Sequence, residues 1–245
     1  MDEMIEQSYG EYKLYIYKNK IELSSNVSNF IVNQIFQTLK IKDRFQFCVS
    51  GGSTPKSVYK LLSEIDIEWE KVDIFLGDER CVDPKSELSN SLMLKNSLLT
   101  KYGSKAFFYE IFSDKKVDDN ISKNLLISKL NEKCNGKPPS FDLTLLGLGD
   151  DGHTASLFPY QKDNNADDLV IFNEGKGLKR ISLTPKVLSA SSNIIFLVSG
   201  ASKQLALQRL LDKDESQERT PSKLIKSSNQ ISIFCDEESS KELSI

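Results

Sequence analysis

The sequence predicts an α/β fold with a Rossmann-like, doubly wound and mostly parallel sheet that carries helices on both faces. Strand-like segments alternate with helical segments along almost all of the 245 residues, which is the pattern of right-handed βαβ crossovers. Several strand-like segments are apolar throughout, as strands buried on both faces of a parallel sheet are. This length suits one sizeable core, so a single domain over residues 1–245 is expected.

The first elements follow from hydrophobic spacing and from capping residues. One apolar stripe predicts a helix and consists of Val27, Phe30, Ile31, Ile35 and Leu39. Residues 45–50 predict a strand, and the Gly-Gly-Ser-Thr-Pro turn after them leads into a second helix. Pro55 suits the first turn of that helix, and either Ser53 or Thr54 suits its N-cap.

The remaining segments continue the alternation. Helices are expected to begin near Ser89 and at Asp118 or Asp119, and the helix starting near Ser89 should extend to Leu98 and Leu99. The predicted strands are 72–77, 141–147, 178–184, 193–200 and 230–236, with a helix at 202–211 between the last two. The polar segments 160–168 and 212–220 are expected to be surface loops.

The composition excludes several functional classes. The net charge is −3, so no global positive field attracts nucleic acid or anionic lipid. No apolar run approaches the length of a membrane span, and the first residues contain no apolar signal region. Four widely spaced cysteines and one histidine favour neither a disulfide framework nor a zinc site. We therefore expect a cytoplasmic protein with reduced cysteines and without a metal or cofactor.

A glycine-rich turn follows the predicted strand at 141–147 and is compatible with two kinds of site. Gly147, Gly149 and Gly152 match the Gly-x-Gly-x-x-Gly spacing of loops that hold a dinucleotide's pyrophosphate. Such a loop must open a helix whose N-terminus faces the anion. Here two aspartates stand inside the turn, and the following residues carry an early proline and no apolar stripe. The sequence therefore argues against a dinucleotide site and favours a turn that presents catalytic side chains.

His153 is the single histidine of the chain and directly follows this turn, two residues after Asp151. A histidine chosen at random is more often an ordinary surface or core residue. At the end of a buried strand, however, a neutral imidazole can accept a proton. A nearby carboxylate can orient the ring and stabilise the imidazolium. We therefore predict that His153 is a general base and that Asp151 orients it.

Backbone amides and hydroxyl groups follow the strand predicted at 45–50. Gly51, Gly52, Ser53 and Thr54 offer neutral donors and a helix N-terminus to an oxyanion or a phosphate. The alternative is a plain glycine turn with a good helix cap. The Gly-Lys-Ser/Thr ending of a P-loop is missing. We predict that these four residues contact a substrate, with the choice between oxyanion and phosphate open.

Charged side chains follow two further strands. Asp78 offers an acceptor and Arg80 a planar fork for anionic oxygens, although such clusters are often only solvated. Lys203 stands at the start of a predicted helix, where a cation is unfavourable unless an anion binds there. Arg180 and Lys186 are weaker candidates. We predict that Asp78, Arg80, Lys203 and Arg180 bind the substrate, with Asp78 as an acceptor and the cations at anionic oxygens.

Five stretches of this chain together resemble the 6-phosphogluconolactonase family. They are the segments 50–55, 76–82 with Ser89-Asn90 downstream, 141–159, 179–185 and 196–207. Residues 221–239 also resemble the closing segment of that family, and the similarity spans about residues 25 to 240. The string Gly-His-Thr-Ala-Ser-Leu-Phe-Pro at 152–159 is highly specific, whereas related sugar-phosphate enzymes share the Gly-Gly-Ser-Thr-Pro turn.

The resemblance implies a fold of the sugar-phosphate isomerase and deaminase type and a specific reaction. That reaction is hydrolysis of 6-phospho-D-glucono-1,5-lactone to 6-phosphogluconate in the oxidative pentose phosphate pathway. By their matching positions, Arg80 and Lys203 would bind the phosphate. Members of the family can also be fused to the dehydrogenase of the preceding step, so fusion to or association with glucose-6-phosphate dehydrogenase is a further expectation.

Two alternative functions remain at this point. Glucosamine-6-phosphate deaminases have a similar glycine turn, but their motif continues His-Ile-Ala-Phe-Asn-Glu-Pro, whereas this chain has His-Thr-Ala-Ser-Leu-Phe-Pro at 153–159. Their strand ends in Asp-Glu-Tyr, and here Arg80 stands in the last position. A non-catalytic sugar-phosphate-binding protein would need the cations but neither His153 nor Asp151, so the presence of both favours an enzyme.

Overall fold

The computed structural model describes residues 4–112, 118–165 and 167–243. The strands are β1 (Ile5–Tyr9), β2 (Tyr12–Tyr17), β3 (Phe45–Val49), β4 (Val72–Leu76), β5 (Asp78–Arg80), β6 (Phe107–Tyr109), β7 (Leu143–Gly147), β8 (Val170–Gly175), β9 (Leu178–Leu183), β10 (Asn193–Val198) and β11 (Ile231–Asp236). The α-helices are α1 (Lys20–Leu39), α2 (Ser53–Ser63), α3 (Asn90–Lys95), α4 (Asp119–Lys133), α5 (Pro185–Leu188), α6 (Gln204–Leu211) and α7 (Glu237–Ser240).

Eight strands form one mostly parallel sheet in the order β1-β2-β11-β10-β7-β3-β4-β6. Every neighbouring pair is parallel except β1 and β2, which form an antiparallel pair at one edge. All five residues of β3 and all five of β4 are buried, so these strands are covered on both faces. The α/β class with a mostly parallel sheet is confirmed.

The strand order reverses between β3 and β7. From β3 the chain proceeds outward through β4 to β6, and from β7 it proceeds in the other direction through β10 to β11. In open α/β sheets the crevice at the carboxyl ends of such a reversal is where ligands bind. The Gly-Gly-Ser-Thr-Pro turn follows β3 and the second glycine turn follows β7, so both turns meet at this crevice.

A second, three-stranded antiparallel sheet in the order β5-β9-β8 stands beside the crevice. The strand predicted at 178–184 forms as β9, but in this small sheet, where Asp78 pairs with Ser182 and Arg80 with Arg180. β8 lies between the predicted loop 160–168 and the predicted strand 178–184, where no strand was predicted. Residues 160–168 lack strand structure over the described positions, while residue 166 lies outside them.

Helix boundaries differ from the predictions at two places. α2 begins at Ser53 with Gly52 as its N-cap, so neither Ser53 nor Thr54 is the cap. Gly52 has φ = 115°, a conformation that side chains disfavour, and this explains the glycine. α3 ends at Lys95, since the chain then continues in turns while Leu98 still joins the core. The predicted helix was too long because the apolar spacing continues past the end of α3 into turns that also contribute to the core.

Other predictions hold as made. The Asp118 side chain caps α4 by accepting hydrogen bonds from two backbone N–H groups of the first turn. All four cysteines are free, and Cys48 and Cys235 are buried in β3 and β11. Within the described ranges, we find no helix that combines the length and apolar character of a membrane span.

Candidate active site

A cleft of about 250 Å³ opens at the carboxyl ends of β3, β5, β7 and β10. We call it the strand-end cleft. Its lining residues are Ser50, Gly51, Gly52, Ser53, Thr54, Pro55, Asp78, Arg80, Asn90, Gly147, Leu148, Gly149, His153, Ala155, Lys176, Arg180, Leu197, Ser199 and Lys203. The fold thus brings every predicted site residue to this cleft except Asp151, which contacts the lining residue His153.

The turn after β7 is built by backbone hydrogen bonds. The Gly149 N–H donates to the His153 carbonyl at 2.8 Å, and the Gly152 N–H donates to the Gly149 carbonyl at 3.1 Å. Gly152 has φ = 89°, which glycine adopts without strain. The chain then makes another turn, in which the Leu157 N–H donates to the Thr154 carbonyl. No helix opens here within the described residues, so the arrangement that a dinucleotide requires is missing.

His153 and Asp151 form a close pair at this turn. His153 Nδ1 hydrogen-bonds Asp151 Oδ1, and the His153 backbone N–H donates to the same oxygen at 3.1 Å. A Cβ on Gly149 would lie 2.0 Å from His153 Nδ1, so only glycine leaves room for the ring. The Phe158 ring packs against the imidazole with centroids 4.7 Å apart. Backbone and side-chain packing therefore both hold the ring in place.

The protonation state of Asp151 decides the tautomer of His153. Burial raises the pKa of the Asp151 carboxyl, but the hydrogen bonds and charge of His153 outweigh burial and hold the pKa well below its usual range. Asp151 is therefore an ionised acceptor, and His153 Nδ1 carries the donated hydrogen. In the neutral ring, Nε2 keeps a free lone pair. The pair has the geometry of an oriented general base.

The same turn contains a group of side chains that could hold a metal ion. Asp150, Asp151 and His153 offer ligand atoms that lie within 4.8 Å of one another. All three groups are already engaged, because Asp150 pairs with Lys176 at 2.9 Å and Asp151 pairs with His153 Nδ1. A metal ion bound through these same atoms would displace an ammonium group and a ring hydrogen. The expectation of a metal-free site stays a prediction.

The turn after β3 places backbone amides at the cleft. The Gly51 and Gly52 N–H groups donate to no partner among the described residues, and the N-terminus of α2 follows them. A Cβ on Gly51 would lie 1.9 Å from Asn90 Oδ1, so glycine is required for the close approach of α3. These amides are available as neutral donors to an anionic oxygen.

β5 supplies an acid that organises the cleft and a cation that lines it. The Asp78 carboxylate accepts hydrogen bonds from Ser156 Oγ and from Asn90 Nδ2, the latter at 3.4 Å. Arg180 Nη1 lies 3.8 Å from Asp78 Oδ2. Asp78 is thus engaged with protein groups. Arg80 Nη1 donates to the Leu88 carbonyl, while its buried Nε has no partner among the described residues.

Glu79 ties β5 to α3. Its carboxylate accepts hydrogen bonds from the backbone N–H groups of Arg80, Asn90 and Ser91 at 2.7–2.8 Å and from Ser89 Oγ at 3.2 Å. A carboxylate is favourable at the positive end of a helix. Burial nevertheless raises the pKa of Glu79, against the lowering effect of these hydrogen bonds. This buried carboxyl fixes Arg80 and Asn90 relative to each other.

Of the predicted cations, Arg180 is buried and Lys203 is partly buried. Arg180 is 6% exposed, its Nε donates to the Gly175 carbonyl, and its guanidinium lies 5.3 Å from the centre of the Phe158 ring. Burial lowers the pKa of Arg180 and also that of Lys203. Lys203 occupies the N-cap of α6, after Gly200 with φ = 96°. Cations in these surroundings favour a bound anion.

The lining residues that were not predicted as site residues include three polar ones, Asn90, Lys176 and Ser199. Asn90 is held by Glu79 and Asp78, Lys176 stands between β8 and β9, and Ser199 Oγ donates to the buried Asp236 carboxylate. The Asn90 position could have been suspected because Ser89-Asn90 belongs to the quoted resemblance. Lys176 carried no local signal, since the strand β8 that precedes it was not predicted. Lys186, a weaker candidate, instead pairs with Asp167.

Comparison with known proteins gives a consistent result. The family model described as glucosamine-6-phosphate isomerases/6-phosphogluconolactonase matches residues 18–233. The 6-phosphogluconolactonase of Nostoc sp. is 32% identical over 223 residues, which cover 89% of this chain and 92% of that protein. The 6-phosphogluconolactonase of Thermotoga maritima is 31% identical over 198 residues, which cover 77% of this chain and 86% of that protein.

Solved structures agree with this relationship. The crystal structure of the Thermotoga maritima 6-phosphogluconolactonase superposes with a TM-score of 0.79 at 27% identity, over 91% of this chain and 98% of that one. A crystal structure described as devB protein gives a TM-score of 0.83 at 27% identity. The superposition covers 94% of this chain and 99% of that one. The chain therefore belongs to the family of glucosamine-6-phosphate isomerases and 6-phosphogluconolactonases.

Proposed function

We propose that this protein hydrolyses 6-phospho-D-glucono-1,5-lactone to 6-phospho-D-gluconate. The observation that carries the proposal is the Asp151–His153 pair, which borders a cleft that Arg80, Arg180 and Lys203 also line. A base beside several cations suits a substrate that combines a hydrolysable bond with an anionic group. The named 6-phosphogluconolactonases among the relatives support this choice of substrate.

The proposed mechanism needs no covalent intermediate, because a lactone is already an activated ester. His153 Nε2 removes a proton from a water molecule whose oxygen attacks the lactone carbonyl carbon. The tetrahedral intermediate then collapses, the bond from that carbon to the ring oxygen breaks, and the imidazolium returns the proton to the ring oxygen as it becomes a hydroxyl. General base catalysis of this kind accelerates a reaction about 10²–10⁴-fold.

The other predicted residues are proposed to bind the substrate. Arg80 and Lys203 hold the phosphate, with Arg180 beside them. The amides of Gly51 and Gly52, with the α2 N-terminus at Ser53 and Thr54, serve an anionic oxygen of the substrate. Asp78 acts mainly through its hydrogen bonds to neighbouring side chains. The substrate dianion depends on these local charges because the whole chain has a net charge of −3.

We also propose that the protein works in the cytoplasm and receives its lactone from glucose-6-phosphate dehydrogenase, to which it is fused or with which it associates. The four free cysteines agree with a reducing compartment. Purification of this protein from cells tests the association, because an associated or fused dehydrogenase should co-purify. A purified sample that contains no dehydrogenase would contradict the association.

The decisive experiment measures lactone hydrolysis above the spontaneous background with the purified chain. Glucosamine 6-phosphate is assayed in parallel for release of ammonium. We expect hydrolysis of the lactone and no ammonium. Release of ammonium would favour a deaminase, and tight binding of 6-phosphogluconate without turnover would indicate a non-catalytic binding protein.

A further inference from the structure

The hairpin between β8 and β9 brings an additional cation to the strand-end cleft. Its tip consists of Lys176 and Gly177, with φ values of 52° and 76°, as in the two-residue turns that join twisted strands. Glycine suits this conformation, whereas a lysine there is unfavourable. Lys176 nevertheless occupies the position that lines the cleft.

The resting partner of Lys176 is Asp150. The Lys176 ammonium lies 2.9 Å from Asp150 Oδ1, and the two side chains are 51% and 60% exposed. Asp150 belongs to the glycine turn that also carries Asp151, so the pair bridges the hairpin tip and the catalytic turn. An ion pair this exposed is weak, so the ammonium is available to a more highly charged anion.

Lys176 and Lys203 influence each other electrostatically. Burial lowers the pKa of Lys203 first, and the charge of Lys176 lowers it further, while Asp150 and Asp151 act in the opposite direction. Two ammonium groups that line one cleft repel each other unless an anion lies between them. A phosphate group, with its charge of about −1.5 to −2 and three acceptor oxygens, is well suited to both.

We propose that Lys176 is a second lysine of the phosphate subsite, and that it exchanges the Asp150 carboxylate for the substrate's phosphate when the cleft is filled. This inference rests on the proposed function, because it takes the phosphate from the proposed substrate. It adds a specificity-determining residue that acts on phosphorylated ligands and not on the sugar acid alone.

Binding of 6-phosphogluconate and of gluconate, measured by calorimetry on the full chain, tests the exchange. Lys176→Met should weaken 6-phosphogluconate about tenfold, the size expected for one charge-assisted hydrogen bond, and leave gluconate unchanged. Lys176→Arg should retain most of the affinity. Asp150→Asn should tighten 6-phosphogluconate, since it removes the competing carboxylate.

The same hairpin offers a matched control. Lys179 pairs with Asp119 at 2.7 Å and is 54% exposed, but it does not line the cleft, so Lys179→Met should leave both affinities unchanged. Unaltered 6-phosphogluconate binding in Lys176→Met, or equal losses for 6-phosphogluconate and gluconate, would overturn the inference. So would equal losses in the Lys176 and Lys179 variants.

Lactone hydrolysis by the wild-type chain separates this inference from the proposed function. Normal hydrolysis with no effect of Lys176→Met contradicts only the lysine exchange. Absent hydrolysis with a selective loss of 6-phosphogluconate binding contradicts only the reaction. A wild-type chain that neither hydrolyses the lactone nor binds 6-phosphogluconate contradicts both.

Discussion

One carboxylate oxygen of Asp151 accepts hydrogen bonds from both the backbone N–H and the ring Nδ1 of His153. The two residues are separated by a single glycine at φ = 89°, which folds the chain back so that side chain and backbone meet the same atom. The acceptor fixes the hydrogen on Nδ1, because an ionised carboxylate cannot donate. Nε2 is consequently the ring nitrogen that can take a proton from water.

Asp151→Asn should lower kcat about 100-fold and leave KM within about threefold, because an amide can also donate to Nδ1 and so favour the wrong tautomer. His153→Ala should lower kcat by at least about tenfold. Steady-state hydrolysis of the lactone, corrected for the spontaneous reaction, measures both. Asp167→Asn is the control, since that carboxylate is 97% exposed and pairs with Lys186. Near-normal turnover in the Asp151 and His153 variants would remove the proposed base.

Gly149→Ala should disrupt the Asp151–His153 pair, because the added Cβ would lie 2.0 Å from His153 Nδ1 and 2.7 Å from Asp151 Oδ1. We expect a loss in kcat of more than about tenfold and a melting temperature lower by several degrees, about the cost of overpacking. Gly147→Ala is the matched control, since its Cβ would meet no atom within 4 Å. Its melting temperature should stay unchanged. Equal behaviour of the two variants would contradict the steric argument.

Lys203→Ala should raise KM about tenfold with a smaller change in kcat, because the lysine is proposed to bind the phosphate in the ground state and the transition state alike. An effect confined to kcat would contradict that role. Lys203→Arg keeps the positive charge and should retain most of the affinity.

The affinity for 6-phosphogluconate should also depend on pH through Lys203. Burial lowers the pKa of Lys203, so its ammonium loses the proton at a lower pH than an exposed lysine does. Affinity should therefore decline as pH rises through that lowered pKa. Lys203→Arg should remove this alkaline decline, and dissociation constants measured from neutral to alkaline pH check it. Parallel curves for wild type and Lys203→Arg would assign the decline to another group.

Glu79→Gln should change the pH dependence of stability. Burial raises the folded-state pKa of Glu79 above its ordinary value of 4.5, so the favourable contribution of its protonated form is fully present below 4.5. That contribution is lost as pH rises through the raised pKa. The glutamine variant does not titrate, so its melting temperature relative to wild type should rise over that interval. Thermal unfolding of both chains at several pH values tests this, and a constant difference would contradict it.

Much of the candidate site could be predicted from local sequence. His153, Arg80 and Lys203 each follow a strand-like segment, and parallel strands end at the same edge of a sheet. The expectation that they share a cleft therefore needed only the strand assignments. The organisation of residues 1–245 as one domain and the catalytic roles stay predictions.

The sequence by itself determined the α/β class and the positions of the glycine turns at the strand ends, because periodicity and backbone conformation are local properties. Only the tertiary structure decided that β9 leaves the main sheet to pair with β5 and β8. It also decided that Asn90 and Lys176 join the cleft, through the buried Glu79 carboxylate and the β8–β9 hairpin. Those placements depend on pairings between residues far apart in the chain, which no local pattern specifies.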